Sequence, residues 1–138
     1  MQIKAKVLSD AGWKDVVAKN KVKDNGVQKA LERLKRVSDD DHGEVEKILD
    51  ELAKLIGFPG KLGMDGSKVW GAWQAGRIAE IRDYCETDAL NTYLVAVRFR
   101  LMRGEFARAE YDAEMAFVRA ELERIGKPHW QEFLAAWS

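Results

Sequence analysis

Tyr84 and Asp88 are the residues of this chain whose types and spacing point most directly to chemistry. A separation of four residues on a helix places both side chains on one face. Asp88 would lie within an apolar stripe, where its helical neighbours are Ile81, Cys85, Thr92 and Val95. A carboxylate in such a setting is costly unless it is paired or metal-bound. Asp88 is therefore a candidate metal ligand with Tyr84 as its companion. The alternative is a structural carboxylate that solvent reaches or that pairs with an arginine.

Two longer stretches extend this pattern into a resemblance. They are FPGKLGMDGSKVW at residues 58–70 and RDYCETDALNTYL at residues 82–94. With the rest of residues 48–138, they resemble the C-terminal part of predicted 3′–5′ exonucleases related to the proofreading domain of B-family DNA polymerases. Residues 1–47 carry no such likeness. The resemblance implies DNA as the substrate class.

The resemblance also implies a fold and a site. The family fold is RNase H-like, with a mixed sheet flanked by helices, and four carboxylates hold two divalent metals. Tyr84 would help position the attacking water, and Asp88 would be the last of the four ligands. Mg²⁺ or Mn²⁺ would be the cofactor of an active member.

The remaining ligands of that site are not found in the sequence. Residues 1–57 contain neither an Asp-x-Glu pattern on an apolar strand nor the aspartate that should follow an Asn-Gly segment. Two-metal phosphoryl chemistry needs several oxygens converging on two ions. We therefore expect Tyr84 and Asp88 to be an inactive relic, with no nuclease activity and no cofactor. Two alternatives stay open: an exonuclease whose remaining ligands come from another chain, and a helical nucleic-acid or protein binding module.

Length and composition describe an ordinary globular protein. A chain of 138 residues suffices for one domain with a real core. The formal net charge of +0 does not point to nucleic acid or to an acidic membrane. The single cysteine, Cys85, excludes an internal disulfide and fits a reducing compartment. No apolar run approaches the ~20 residues of a membrane span, so a cytoplasmic protein is expected.

Lysine and arginine are unevenly divided along the chain. Residues 1–57 hold ten Lys and two Arg, whereas residues 58–138 hold three Lys and eight Arg. Folding does not demand this division, and it falls near the start of the resemblance. It predicts a natural or engineered chimera, a single helical domain with a seam near residues 49–57 that joins residues 1–48 to residues 58–138. The alternative is a natural, divergent N-terminal half.

Helical periodicity and helix-stop signals predict an all-α bundle of about six helices that lacks the family sheet. A first helix is expected over residues 9–20, and a second around residues 27–37. Asp41 and Glu44 form a capping-box pattern that opens a helix ending at Gly57. Ser67 is the expected cap of a short helix that runs through Ala75.

The longest predicted helix covers residues 77–103, which contain neither Gly nor Pro. Apolar residues form two stripes on it, so we expect a central helix covered on both faces. A further helix should end at Gly126, and Pro128 should open a last short helix whose aromatic residues belong to the core.

Cationic residues give only a weak nucleic-acid signal. Lys61 and Lys68 lie in the Gly-rich loop that the family places near the active face, and they are the candidate nucleic-acid contacts. By helical spacing, Arg98, Arg100 and Arg103 point in three directions, so they do not form a stripe that could follow phosphates.

The two histidines do not predict a zinc site. His42 follows three aspartates and His129 follows Lys-Pro. Neither has a second histidine or a cysteine at ligand spacing in the sequence.

Loss of the family sheet would uncover apolar surface on the long helix. The residues concerned are Ile81, Cys85, Val95, Phe99 and Met102, with Trp70 and Trp73 nearby. Because large exposed apolar patches are rare on monomers, we expect a homo-oligomer, most simply a homodimer. No membrane partner is expected.

Overall fold

The computed structural model describes residues 29–30, 32–33, 36–38 and 41–138, and every regular element in these ranges is helical. The helices are α1 (His42–Leu55), α2 (Val69–Gln74), α3 (Ile78–Met102), α4 (Arg108–Ile125) and α5 (Pro128–Ala136), and a 3-10 turn, Gly66–Lys68, precedes α2. The described ranges contain no strand, which confirms the predicted all-α class. They hold these five helices against about six predicted. The helix predicted over residues 9–20 lies outside the described residues.

The start of α1 follows its predicted cap in part. The Asp41 carboxylate accepts a hydrogen bond from the Glu44 main-chain N–H at 3.1 Å. The reciprocal half of the capping box is replaced by other contacts. The Glu44 carboxylate pairs with the Arg33 guanidinium at 2.8 Å, and the Asp41 N–H donates to the Ser38 carbonyl. Glu44 thereby connects α1 to the helical residues before it.

The core lies where α1, α3, α4 and α5 meet. From α1 it takes Val45, Ile48, Leu49 and Leu52, as helical periodicity predicts. The other helices contribute Leu94, Val95, Val118, Leu122, Trp130 and Phe133. Phe58, Phe133 and Trp137 pack edge to face, with ring centroids 5.6–6.0 Å apart, a favourable aromatic geometry. The predicted assignment of the α5 aromatic residues to the core is confirmed.

The long helix differs from its prediction over its first turns. Its second half is buried at Leu94, Val95 and Val97, but Ile78 and Cys85 near its start are exposed. α3 has 25 residues and α1 has 14, which correspond to about 38 Å and about 21 Å. A partner of that length cannot cover α3 from end to end. None of the described helices combines the length and apolarity that crossing a membrane requires.

The α2 region presents its aromatic side chains to solvent. Trp70 and Trp73 are 64% and 55% exposed and stack on each other with centroids 5.0 Å apart. The cap of this region is Asp65, whose carboxylate accepts from the Ser67 N–H at 2.9 Å, so Ser67 is not the cap. The predicted apolar patch also loses Val95, which is buried. The homodimer inferred from that patch stays a prediction.

Replacing Phe133 by alanine tests the aromatic core. Phe133 is fully buried, and Phe117 on α4 is 61% exposed. We expect Phe133→Ala to lower the unfolding free energy by about 3–5 kcal/mol because it leaves a cavity. Phe117→Ala is the matched control, with an expected change within about 0.5 kcal/mol. Urea denaturation followed by circular dichroism measures both, and equal losses would contradict this placement of the core.

Candidate functional site

A buried amide side chain fixes the loop that leads to the site. Asn91 on α3 accepts a hydrogen bond from the Gly60 N–H at 3.1 Å, and its amide group donates to the Gly60 carbonyl. The Asp50 carboxylate on α1 accepts from the next main-chain N–H, that of Lys61. Buried polar groups are costly when unpaired, so these bonds hold the Gly-rich loop against both helices.

Gly60 can make this approach because it has no side chain. Its φ of +71° is in the left-handed region that favours glycine. A Cβ at this position would lie 2.6 Å from the Asp50 Oδ1 and 2.6 Å from the Lys54 Cε. Any larger residue here would push the loop away from α1.

The fixed loop, α1 and α3 border an open cleft of about 220 Å³ whose lining includes both charged and apolar side chains. Carboxylates from three positions line it, together with one ammonium group and the amide that holds the loop: Glu46, Asp50, Asp88, Lys61 and Asn91. The cleft is smaller than the ~300–1,000 Å³ of typical small-molecule pockets. The cleft is therefore too small for a large ligand, and its main feature is the cluster of charged side chains.

Lys61 is the cation of this cluster. Its Nζ lies 3.0 Å from the Glu46 Oε2 and 5.9 Å from the centroid of the Tyr84 ring. Burial lowers the pKa of the Lys61 ammonium, but its hydrogen bond to Glu46 and the neighbouring acidic groups outweigh burial, so the pKa lies above its usual value. Lys61 is thus held in its charged form among the carboxylates.

Asp88 and Tyr84 both face this cation. Burial raises the pKa of the Asp88 carboxyl; the Lys61 charge opposes this effect, and the charges of Glu46 and Asp50 add to it. Burial also raises the pKa of the Tyr84 hydroxyl. The pair found in the sequence is therefore placed together with Lys61, one of the two predicted lysines.

Lys68 is placed elsewhere. It lines a separate surface depression with Gly63, Met64, Gly71, Arg77 and Glu80. Its exposed ammonium lies 3.9 Å from the Asp65 carboxylate. The cleft that Lys61 lines and the depression that Lys68 lines are different, and a nucleic-acid role for either stays a prediction.

The residues described around Asp88 do not fit a two-metal site. Such a site needs carboxylates converging on two ions ~3.5–4 Å apart. In the described part of the chain, ligand atoms of three acidic or histidine side chains come within 4.8 Å of one another at one place, formed by Asp83, Glu86 and His129. Asp88 is not a member of that group.

This second cluster was missed by the sequence analysis. The His129 Nε2 lies 2.7 Å from the Glu86 Oε2, and its Nδ1 lies 3.6 Å from the Asp83 Oδ1. The spacing of Asp83 and Glu86 on one helical face was visible in the sequence. Their partner is more than forty residues away, on α5, and only the packing of α5 on α3 brings it near.

A family model described as "Predicted 3'-5' exonuclease related to the exonuclease domain of PolB" matches residues 6–137. The chain belongs to this family. The match confirms the resemblance carried by residues 58–70 and 82–94. It begins at residue 6, so the expectation that residues 1–47 carry no likeness to the family is wrong for residues 6–47, and the match includes both sides of the predicted seam at residues 49–57. The seam itself stays a prediction. No curated protein and no solved structure matches the chain significantly.

Within this family of predicted exonucleases, the described helices carry the Tyr84–Asp88 pair on a rigid support. Both residues lie in the first half of α3, and α3 is tied to the Gly-rich loop through Asn91. The Asp88 carbonyl also accepts a hydrogen bond from the Thr92 hydroxyl at 3.0 Å. These hydrogen bonds hold the Tyr84–Asp88 pair in place, and the Lys61 ammonium lies beside the pair.

Replacing Asp88 by asparagine tests the electrostatics of the cleft. A carboxyl with a raised pKa makes the folded state favour the neutral form, so its charge destabilises the fold at neutral pH. We expect Asp88→Asn to leave the unfolding free energy at pH 7 unchanged or to increase it by up to about 1 kcal/mol. The difference should shrink as the pH falls through the raised pKa of the folded state, and it should vanish below 3.8, the ordinary value for the carboxyl, where both states bind the proton.

Asp112→Asn is the matched control for that measurement. Asp112 is an exposed α4 carboxylate that pairs with Arg108 at 3.0 Å, and such a surface pair is worth about 0–1 kcal/mol. Urea denaturation between pH 3 and pH 7 measures both variants. A clear loss of stability at pH 7 in Asp88→Asn would contradict the expectation, as would a manganese-dependent rise in melting temperature that this variant loses.

Proposed function

We propose that this chain forms a non-catalytic, exonuclease-like helical domain. In this proposal Tyr84 and Asp88 keep their family positions but do not hydrolyse phosphodiester bonds in this chain alone. The observation that carries it is the placement of the Lys61 ammonium, which pairs with Glu46 and lies over the Tyr84 ring, in the cleft that Asp88 also lines. A divalent metal bound by Asp88 would have to displace or tolerate that ammonium, and like charges at short range repel strongly.

The charge balance of the cleft supports the same proposal. Glu46 already pairs with Lys61, and Asp50 binds the Lys54 ammonium at 2.7 Å as well as the Lys61 N–H. These carboxylates are used to fasten α1 to the loop, so metal binding would need their present bonds to break. The uneven use of lysine and arginine supports the accompanying proposal of a chimeric origin.

A second candidate is an exonuclease that is completed by another chain. Asp88 is only half-buried and lines an open cleft next to Tyr84. Family membership favours this reading. In that case the partner would supply the Asp-x-Glu strand, and Mg²⁺ or Mn²⁺ would neutralise developing charge on the phosphate.

A digestion assay separates the two candidates. A single-stranded DNA oligonucleotide labelled at its 5′ end is incubated with the parent chain, Asp88→Asn or Asp112→Asn, in Mn²⁺ or Mg²⁺. We expect no shortening from the 3′ end beyond the protein-free control for any of them. A metal-dependent ladder produced by the parent and by Asp112→Asn, but lost in Asp88→Asn, would contradict the non-catalytic proposal. A ladder that appears only when a chain carrying the Asp-x-Glu strand is added supports the second candidate.

Replacing Lys61 by methionine tests whether the Lys61 charge balances the carboxylates of the cleft. Methionine keeps most of the side-chain length but removes the charge, leaving Glu46 and Asp88 without their ammonium. We expect a lower melting temperature that Mn²⁺ or Ca²⁺ partly restores, because carboxylates deprived of their cation repel one another and attract divalent ions.

Lys54→Met is the matched control for that variant. Lys54 also contacts Asp50, but it is more exposed than Lys61. We expect its melting temperature to show no metal-dependent recovery. The same metal response in the parent, Lys61→Met and Lys54→Met would contradict the role assigned to Lys61.

A further inference from the structure

The cluster that joins α3 to α5 has the donor set of a transition-metal site. Asp83 and Glu86 lie one turn apart on α3, and His129 lies in the first turn of α5. Each offers one ligand atom, and the three atoms lie within 4.8 Å of one another. Imidazole nitrogen together with carboxylate oxygen suits Zn²⁺ and related ions, whereas carboxylates alone suit Mg²⁺ and Ca²⁺.

The supporting elements hold these ligands in place. The His129 side chain is only 12% exposed, and its ring packs on Trp130 with centroids 4.5 Å apart. Trp130 is itself buried in the core. Two ligands therefore lie on the longest helix and the third lies beside a core residue. Glu86 contacts the Nε2 of His129 and Asp83 contacts its Nδ1. Metal–ligand distances of about 2.0–2.2 Å at one ring nitrogen therefore require the carboxylate at the other nitrogen to rotate around the ring.

Without a metal, two cationic side chains balance the carboxylates of the cluster, and their ion pairs with these carboxylates are weak. Arg82 contacts Asp83 at 2.9 Å and Glu86 at 3.7 Å, and Lys127 lies 3.7 Å from Glu86. Both cations are roughly half-exposed, and exposed ion pairs of this kind contribute about 0–1 kcal/mol. An incoming divalent cation replaces these three contacts at low cost, and both long side chains can turn into solvent.

Space for an ion and its waters lies beside two of the three ligands, Asp83 and His129. A depression of about 270 Å³ is lined by Asp83, Tyr84, Thr87, His129 and Glu132, among others. Three protein ligands leave a fourth position of the tetrahedron that a water can fill. The depression supplies that open side.

We propose that Asp83, Glu86 and His129 bind a zinc-class divalent metal that fastens α5 to α3. The site is separate from Asp88 and its cleft, and its role is to stabilise the packing of the two helices. It differs from the expectation drawn from the sequence because the ligands that accompany His129 are carboxylates from another helix, not a nearby histidine or cysteine.

Zinc titration of the metal-free full chain tests this proposal. We expect one saturable site by calorimetry. At a zinc concentration of about 100 times the dissociation constant, we expect a rise of about 10 °C in melting temperature. Mg²⁺ at the same concentration should cause no comparable rise. Co²⁺ should give visible absorption bands of a low-coordinate site in the parent chain.

The variants decide which residues bind the metal. His129→Gln should lose the zinc-dependent rise, and Glu86→Gln should weaken binding at least tenfold while keeping the histidine. His42→Gln, which changes the other histidine of the chain, should keep the response of the parent. Asp88→Asn should keep it too, which separates this site from the family's carboxylate site.

Circular dichroism first establishes that each variant is folded. If His129→Gln is not folded, Glu86→Gln and Asp83→Asn carry the test, since both retain the imidazole. The proposal is overturned if the parent shows no saturable zinc binding. It is also overturned if folded His129→Gln, or Glu86→Gln and Asp83→Asn together, bind zinc as the parent does, or if His42→Gln loses the response.

Discussion

The two hydrogen bonds between Asn91 and Gly60 are the constraint on which the cleft depends. They join a helix in the middle of the domain to a loop that has no regular structure of its own. Through the next residue, the same loop delivers the Lys61 ammonium to Glu46. Together with the bond from the Lys61 N–H to Asp50, this attachment sets the position of the cation relative to the Tyr84–Asp88 pair. The buried Asn91 amide therefore helps to fix where the Lys61 charge lies in the cleft.

Helix α3 carries two chemically different surfaces side by side. Asp88 lines a cleft whose carboxylates are balanced by lysine, whereas Asp83 and Glu86 contact an imidazole. The separation follows from helical geometry, since residues one position apart differ by about 100° in direction. Tyr84 contacts the lysine of the first surface and lines the depression of the second. A rotation of the first turns of α3 would alter both.

Much of the helical architecture is predictable from local signals. The limits of α3 and α4 follow from glycines that stop helices, and the start of α5 follows from Pro128, because these effects act within one turn. The Tyr84–Asp88 pair was recognisable for the same reason. Lys61 was noticed only as a loop cation. Its pairing with Glu46 depends on how the loop folds onto α1, and the periodicity of the sequence carries no information about the position of a loop.

Local sequence signals also do not predict the cluster of Asp83, Glu86 and His129 or the exposure of the first turns of α3. His129 contacts Asp83 and Glu86 only because α5 packs on α3. The apolar stripe of α3 does not show how much of the helix its neighbours cover. Ser67 was mistaken for a cap because serine and aspartate both suit that position. In each case the deciding information is a contact between distant parts of the chain.

The exposed stacked indoles of α2 have a consequence for optical measurements on this protein. Among the four described tryptophans, Trp70 and Trp73 face water, whereas Trp130 and Trp137 are buried. The first two therefore already emit as solvated indoles in the folded state, and unfolding changes their surroundings little. A red shift of the emission on denaturation, as far as these four contribute, reports the opening of the α5 aromatic core. Quenching by added iodide at native conditions instead reports on the α2 surface.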